Sequence, residues 1–172
     1  SLEDAIRRSG LKDGMTVSFH HAFRGGDFVV NMVMNKIAEM GFKNLTLSSS
    51  SLIASHHPIV EHIKNGVVTK IYSSGLRGQL ADEISKGILA EPVNIHSHGG
   101  RVHLVKSGEL KIDVAFLGVP CCDKFGNANG FTGKSKCGSL GYARVDAEYA
   151  DTVVLLTEEF AEYPHNPISI AQ

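Results

Sequence analysis

The chain is short of cysteine, of net charge and of long apolar runs, and each shortage removes a class of protein. Three cysteines, two adjacent (Cys121, Cys122) and one apart (Cys137), cannot form a paired framework. That excludes a disulfide-stapled secreted scaffold and points to a reducing compartment. The formal net charge is −1, and the charges are spread without a basic patch or stripe, which argues against nucleic-acid binding. No apolar run approaches the roughly 20 residues needed to span a bilayer. The opening "SLEDAIRRSG" is amphipathic rather than apolar and does not read as a signal peptide. The expected setting is the cytoplasm. No repeat, low-complexity tract or linker interrupts the 172 residues, which suffice for one core.

What is present is an alternation of strand-like and helix-like stretches. "MTVSF" (15–19) favours a strand after the Asp13-Gly14 turn signal. A helical pattern then places Val29 or Val30, Val33, Ile37 and Met40 on one face, with Asp27 as N-cap and Gly41 as stop. "NLTL" reads as a second strand, followed by "SSSS" and a short helix with Pro58 in its first turn and Gly66 at its end. "VVTKIYSS" (67–74) is a third strand, and a helix follows over 79–88 with Leu80, Ile84 and Ile88 as its stripe. "VNIHSH" is a fourth strand. "IDVAFLGV" and "TVVLLT" are continuous apolar runs of the kind buried on both faces of a sheet. These elements predict one α/β domain over 1–172, an open, mainly parallel sheet flanked by helices.

Four strand candidates give way to loops of Gly, Ser, His or Arg: "HHAFRGG", "SSSS", "SSGLRG" and "HSHGGR". In a parallel sheet with right-handed crossovers all four emerge at one edge, where open α/β sheets bind ligands. Arg24, Arg77, Arg101 and several histidines would share that rim and favour an anionic small molecule, a carboxylate or a phosphate ester. On its own, "FRGGD" reads equally as a tight strand-to-helix turn.

Other motifs are weaker. The glycines of "FRGGD" do not make G-x-G-x-x-G, and "GKS" (133–135) lacks the P-loop's earlier glycine, because position 128 is alanine. "HSH" is the most metal-like feature: on a strand, His96 and His98 would point to one face, with His103, Cys121 or Asp123 as further ligands in space. No H-E-x-x-H or C-x-x-C accompanies them, and a polar pocket lining is the alternative. No G-x-S-x-G elbow occurs. Cys121 and Cys122 read as small hydrophobes, and "DKFGN" (123–127) as a hairpin turn.

Taken together, "DGMTVSFHHAFRGGDFVVNMV", "VTKIYSSGLRGQLADEIS", "NIHSHGGRVHLV", "KIDVAFLGVPCCDKFGNANG" and "GYARVDAEYAD" closely resemble the citrate lyase α-subunit family. More distantly, the order of elements resembles the α half of class I CoA-transferases, although "HHAFRGG" stands where many of those carry Gly-Gly-Phe-Gly. The resemblance implies a CoA-transferase-like fold and an acyl exchange. Citrate replaces the acetyl group on an acyl-carrier-protein thioester, giving the citryl thioester and acetate. It also implies an oligomeric complex with the carrier (γ) and citryl lyase (β) subunits. No cofactor would be bound directly, since the CoA-like phosphoribosyl-dephospho-CoA arm belongs to the carrier. The domain would be the N-terminal half of a longer subunit, with the nucleophilic glutamate of class I relatives beyond residue 172. An enzyme-bound and a direct citric–acetic anhydride both remain open.

Citrate is a trianion, and arginine forks bind carboxylates bidentately. Arg24, Arg77 and Arg101 are therefore the candidate carboxylate ligands. By position in the family order, Ser49 and Ser50 match a loop whose backbone holds the thioester oxygen, with Ser74 and Gly75 on the neighbouring loop. His98 matches a substrate-contacting position. His20, His21 and His96 would orient the substrate or manage its proton, and Gly25 and Gly26 would allow close backbone approach. Two other readings stand beside this one: an anion-sensing module of the same fold without turnover, and a metal-dependent hydrolase built on His96 and His98.

Overall fold

A computed structural model describes residues 1–20, 28–138, 141 and 143–163. In chain order the elements are α1 (Leu2–Arg8), β1 (Thr16–His20), α2 (Val29–Glu39), β2 (Leu45–Ser49), a 3-10 turn (Ala54–His56), α3 (Ile59–Lys64), β3 (Val68–Ser73), α4 (Gln79–Ser85) and β4 (Asn94–Ile95). There follow α5 (His98–Ser107), β5 (Val114–Gly118), β6 (Cys121–Asp123), β7 (Ala128–Asn129), α6 (Ala143–Tyr149), β8 (Thr152–Leu156) and β9 (Phe160–Ala161).

Six strands form one sheet in the order β4-β3-β2-β1-β5-β8, and every pairing in it is parallel. The strand order reverses between β1 and β5. Helices cover both faces, as the continuous apolar runs require. Val17 and Phe19 of β1, Leu45 and Leu47 of β2, and Val114 and Phe116 of β5 join Val30, Val33, Met34 and Ile37 of α2 in the larger core. Phe19 and Phe116 stack there, 5.5 Å between ring centroids. The alternate residues Ala115 and Leu117 face the other way and pack with Val105 of α5 and with Ala143 and Val145 of α6. The fold is thus a sheet between two helical layers, α1 to α4 on one side and α5 and α6 on the other.

Several local expectations hold. Gly41 and Gly66 follow the ends of α2 and α3 with φ of +88° and +71°, the left-handed geometry of a glycine stop. Pro58 is the N-cap of α3. Asp123 makes "DKFGN" a turn by accepting from the backbone N–H groups of Phe125 (2.8 Å) and Asn127 (3.1 Å) between the antiparallel strands β6 and β7. Cys121 and Cys122 are buried in β6, and burial raises the Cys122 thiol pKa.

Two expectations need correction. The helix over 79–88 stops at Ser85, because Gly87 takes φ of +90°, and Ile88 packs from the segment beyond. The Asn94–Ile95 strand ends before "HSH": Ser97 accepts from the Gly100 N–H at 3.0 Å and starts α5, so His96 and His98 do not alternate along a strand. Asp27 lies outside the described residues, and Phe28 is the residue before α2.

Candidate functional site

The parallel register carries the ends of β1, β2, β3 and β4 to one edge of the sheet. There β1, β2 and β3 end in polar residues, His20, Ser49 and Ser73, and β4 ends at the exposed Ile95. The segments after β2 and β3 keep pairing beyond the strands. Ser50 O accepts from Ser74 N at 2.6 Å and from the Ser74 hydroxyl, Leu52 N donates to Gly75 O at 2.9 Å, and Arg77 N donates to Leu52 O at 3.0 Å. The Ser73 hydroxyl folds back onto Gly75 O at 2.8 Å. Ser49 is fully buried at the end of β2, and its Oγ has no hydrogen-bond partner among the described residues. Ser49, Ser50, Ser74 and Gly75 therefore come together as one zipped pair of loops. The next residues place Arg77, exposed, on the same flank.

The turn after β4 joins this pair, because His96 N donates to Ser73 O at 3.1 Å. The His96 ring is half-buried, with Nδ1 3.2 Å from Ser97 O. Burial first, and then the nearby Arg101 charge, lower its pKa, so the neutral imidazole is favoured. His98, the first residue of α5, is exposed. At the end of β1, His20 pairs in register with Leu117 of β5, at the point where strand order reverses. A Cβ placed on Gly141 would lie 3.9 Å from His20 Nε2, so the approach to α6 passes beside this histidine. His21, Arg24, Gly25 and Gly26 lie outside the described residues.

Arg101 departs from expectation. As a rim cation it should face solvent, but it is 0% exposed and its guanidinium points into the layer between the sheet and α5 and α6. Nη1 donates to Ser48 Oγ at 2.6 Å; Nη2 donates to Ser18 Oγ at 2.7 Å and to the Asp146 carboxylate at 2.8 and 3.0 Å. Ser18 donates in turn to Asp146 Oδ2 at 2.5 Å. Asp146 is also 0% exposed. A buried guanidinium needs a countercharge, and Asp146 supplies it. Arg101 is therefore corrected from a substrate ligand to a buried partner of α6. Ser18, Ser48 and Asp146 escaped the sequence reading. Their one signal was a polar residue at an inward position: serines inside two apolar strands, and an aspartate within "ARVDAEY".

Among the described residues no three His, Cys, Asp or Glu side chains gather in a metal-holding group. No carboxylate occurs in residues 49–51, 73–77 or 96–98, so the zipped loops and the turn after β4 are electrostatically open to an anion. A separate groove of about 710 Å3 runs beside β8, lined by apolar side chains such as Leu2, Phe28, Met32 and Phe160. Among the described residues its one charged lining residue is Glu158, which suits an anion poorly.

Comparison with known proteins bears on the fold and the family. The family model "Citrate lyase, alpha subunit (CitF)" matches residues 1–172. A citrate lyase alpha chain of Haemophilus influenzae is 91% identical over all 172 residues, which make up 34% of that relative. The putative alpha subunit of citrate lyase from Streptococcus mutans, solved in complex with citrate, superposes with a TM-score of 0.94 at 54% identity, covering 98% of this chain and 33% of that one. An acyl-CoA transferase of Escherichia coli O157:H7, solved as a thioester complex with CoA, shares the fold at a TM-score of 0.66 and 10% identity over 96% of this chain and 43% of its own. The chain spans about a third of the length of the citrate lyase relatives it matches.

Proposed function

The chain belongs to the citrate lyase α-subunit family, and from that premise we propose that it carries the citrate-binding edge of a citrate CoA-transferase. The observation that supports this most is the carboxylate-free junction of three strand ends: Ser49 and Ser50, Ser74 and Gly75, and His96, at the edge where open parallel sheets take ligands.

In this reading the full subunit exchanges acetate for citrate on the thioester of an acyl carrier protein within a complex that also holds the citryl lyase subunit. Citrate's carboxylates meet Arg77 and Arg24, whose planar forks match carboxylate oxygens. His98, beside the same turn, contacts the substrate. The paired loops around Ser50 and Ser74 hold the backbone against the acyl group, where an N–H aimed at the developing oxyanion is worth about 3 to 4 kcal/mol. His96, kept neutral by burial, and His20 and His21 accept or orient the substrate's hydroxyl and carboxyl protons. Gly25 and Gly26 leave room for the substrate to approach the backbone. The carrier's CoA-like arm supplies the thiol. Its phosphates are anionic, as citrate is, so the absence of acidic side chains from residues 49–51, 73–77 and 96–98 fits it too.

The test is exchange by the full-length subunit. Mixed with acetylated carrier protein and labelled citrate, without ATP, it should convert the carrier to the citryl form and release acetate, read by mass spectrometry of the carrier. A carrier that keeps its acetyl group under these conditions defeats the assignment. Arg77→Ala should weaken citrate use at least tenfold and leave carrier recognition unchanged.

A further inference from the structure

We propose that Arg101, Asp146, Ser18 and Ser48 form a buried positioning unit that holds the turn bearing His96, Ser97 and His98 in register with the ends of β1 and β2. The inference rests on the citrate-edge reading for its effect on substrate, but its structural core stands without it.

The four residues come from four elements: Ser18 from β1, Ser48 from β2, Arg101 from α5 and Asp146 from α6. One guanidinium touches the other three, and the Ser18 hydroxyl closes the ring onto Asp146. Three of the four lie one to three residues from a candidate site residue, and the fourth lies near a residue beside one. Ser18 is two residues before His20, Ser48 directly precedes Ser49, and Arg101 lies three residues after His98. Asp146 follows five residues after Gly141, the position beside His20.

Stability alone gives little reason for this arrangement. A buried ion pair is commonly no more stabilising than apolar residues of the same volume, whereas its directional hydrogen bonds fix geometry. The Arg101 Nε is buried without a partner among the described residues, a further sign that the fork is oriented at some cost. The turn it holds needs external definition. Gly99 and Gly100 occupy the first turn of α5, where glycine is the weakest helix former apart from proline. Gly100 cannot be exchanged for a better one freely, since a Cβ there would sit 3.1 Å from Ser97 Oγ and 3.4 Å from His96 Cβ. With helix propensity unavailable, the only side chain of that turn anchored in the interior is Arg101, whose backbone N–H bonds Ser97 O at 2.9 Å. The unit does not touch substrate; it sets where His96 and His98 stand.

The experiment uses the full-length subunit with Ser48→Ala and Ser18→Ala, which leave the Arg101–Asp146 ion pair in place and preserve folding. Amide hydrogen exchange at His96, Gly100 and Arg101 is expected to accelerate about tenfold in Ser48→Ala, the loss of one charge-assisted hydrogen bond, and by more than exchange at core amides of the opposite sheet face. In the exchange reaction the KM for citrate should rise by a similar factor while the KM for carrier protein stays constant. Arg101→Lys, which keeps the charge but not the fork, should show the same split more strongly. Unaltered exchange at those amides in Ser48→Ala overturns the positioning role, whatever the enzyme does. A wild-type subunit that exchanges no citrate defeats the functional reading instead and leaves the amide result to decide the positioning role. Accelerated amides with an unchanged citrate KM overturn the link to substrate.

Discussion

The two faces of the sheet are built from alternate residues of the same strands, yet they obey different rules. On the face under α1 to α4, Val17, Phe19, Leu45, Leu47, Ile71, Val114 and Phe116 make an apolar layer. On the face under α5 and α6, Ser18 and Ser48 replace apolar residues on the two central strands and receive a buried ion pair. The first face is held by area, which is tolerant of direction; the second by hydrogen bonds, which are not. The polar patch sits directly below the strand ends that carry the candidate site, so the face that is costlier to build is also the one that orients chemistry.

The sharpest way to break this contrast is Asp146→Ala. It strands a guanidinium in the interior and should cost about 3 to 5 kcal/mol, read from urea unfolding. Pairing it with Arg101→Met should recover most of that loss. If the double variant is no more stable than Asp146→Ala, the charge itself is not the problem and the contrast collapses. On the apolar face Leu47→Ala should cost about 2 to 5 kcal/mol through lost burial and a residual cavity, with no partner change able to rescue it.

The smallest effect sharpens the contrast through pH. His62 of α3 is nearly buried on the apolar side, with Nε2 2.9 Å from Asn35 Oδ1 of α2, and burial lowers its pKa. The folded state therefore binds the proton less readily than the unfolded chain. The contribution is complete above the ordinary histidine value near 6.5 and is lost as pH falls through the depressed folded pKa. Unfolding free energy should decline on acidification below about pH 6.5, and His62→Gln should flatten that part of the profile. An unchanged slope in the variant would assign the pH dependence to other groups, His96 among them, whose pKa is lowered in the same direction.

Local patterns made much of the fold legible. The runs "MTVSF", "VVTKIYSS", "IDVAFLGV" and "TVVLLT" became strands because β-branched and aromatic residues suit a pleated, covered surface. The helix α5 was not legible: "HGGRVHLVKS" opens with two glycines after its first residue, and its buried residues are Arg101 and Val105, so neither propensity nor an apolar stripe marks it. The short β4 misled for the same reason, since Ser97 caps a helix that the pattern does not announce. At the site, the convergence of the segments after β2, β3 and β4 followed from counting strands and loops, but their backbone zipper did not.

By itself the sequence determined the alternation of elements, the glycine stops after α2 and α3, the Asp123 turn and the family to which the chain belongs. These depend on residues a few positions apart, or on the joint presence of whole blocks. Which arginine faces solvent was decided by tertiary structure alone. In the sequence Arg77 and Arg101 both sit beside glycine in segments that follow strand candidates, and nothing local separates them. Arg101 turns inward because two serines 53 and 83 residues earlier and an aspartate 45 residues later meet it in one buried layer. A charge can leave water only where such distant partners already stand, and that condition is a property of the assembled fold.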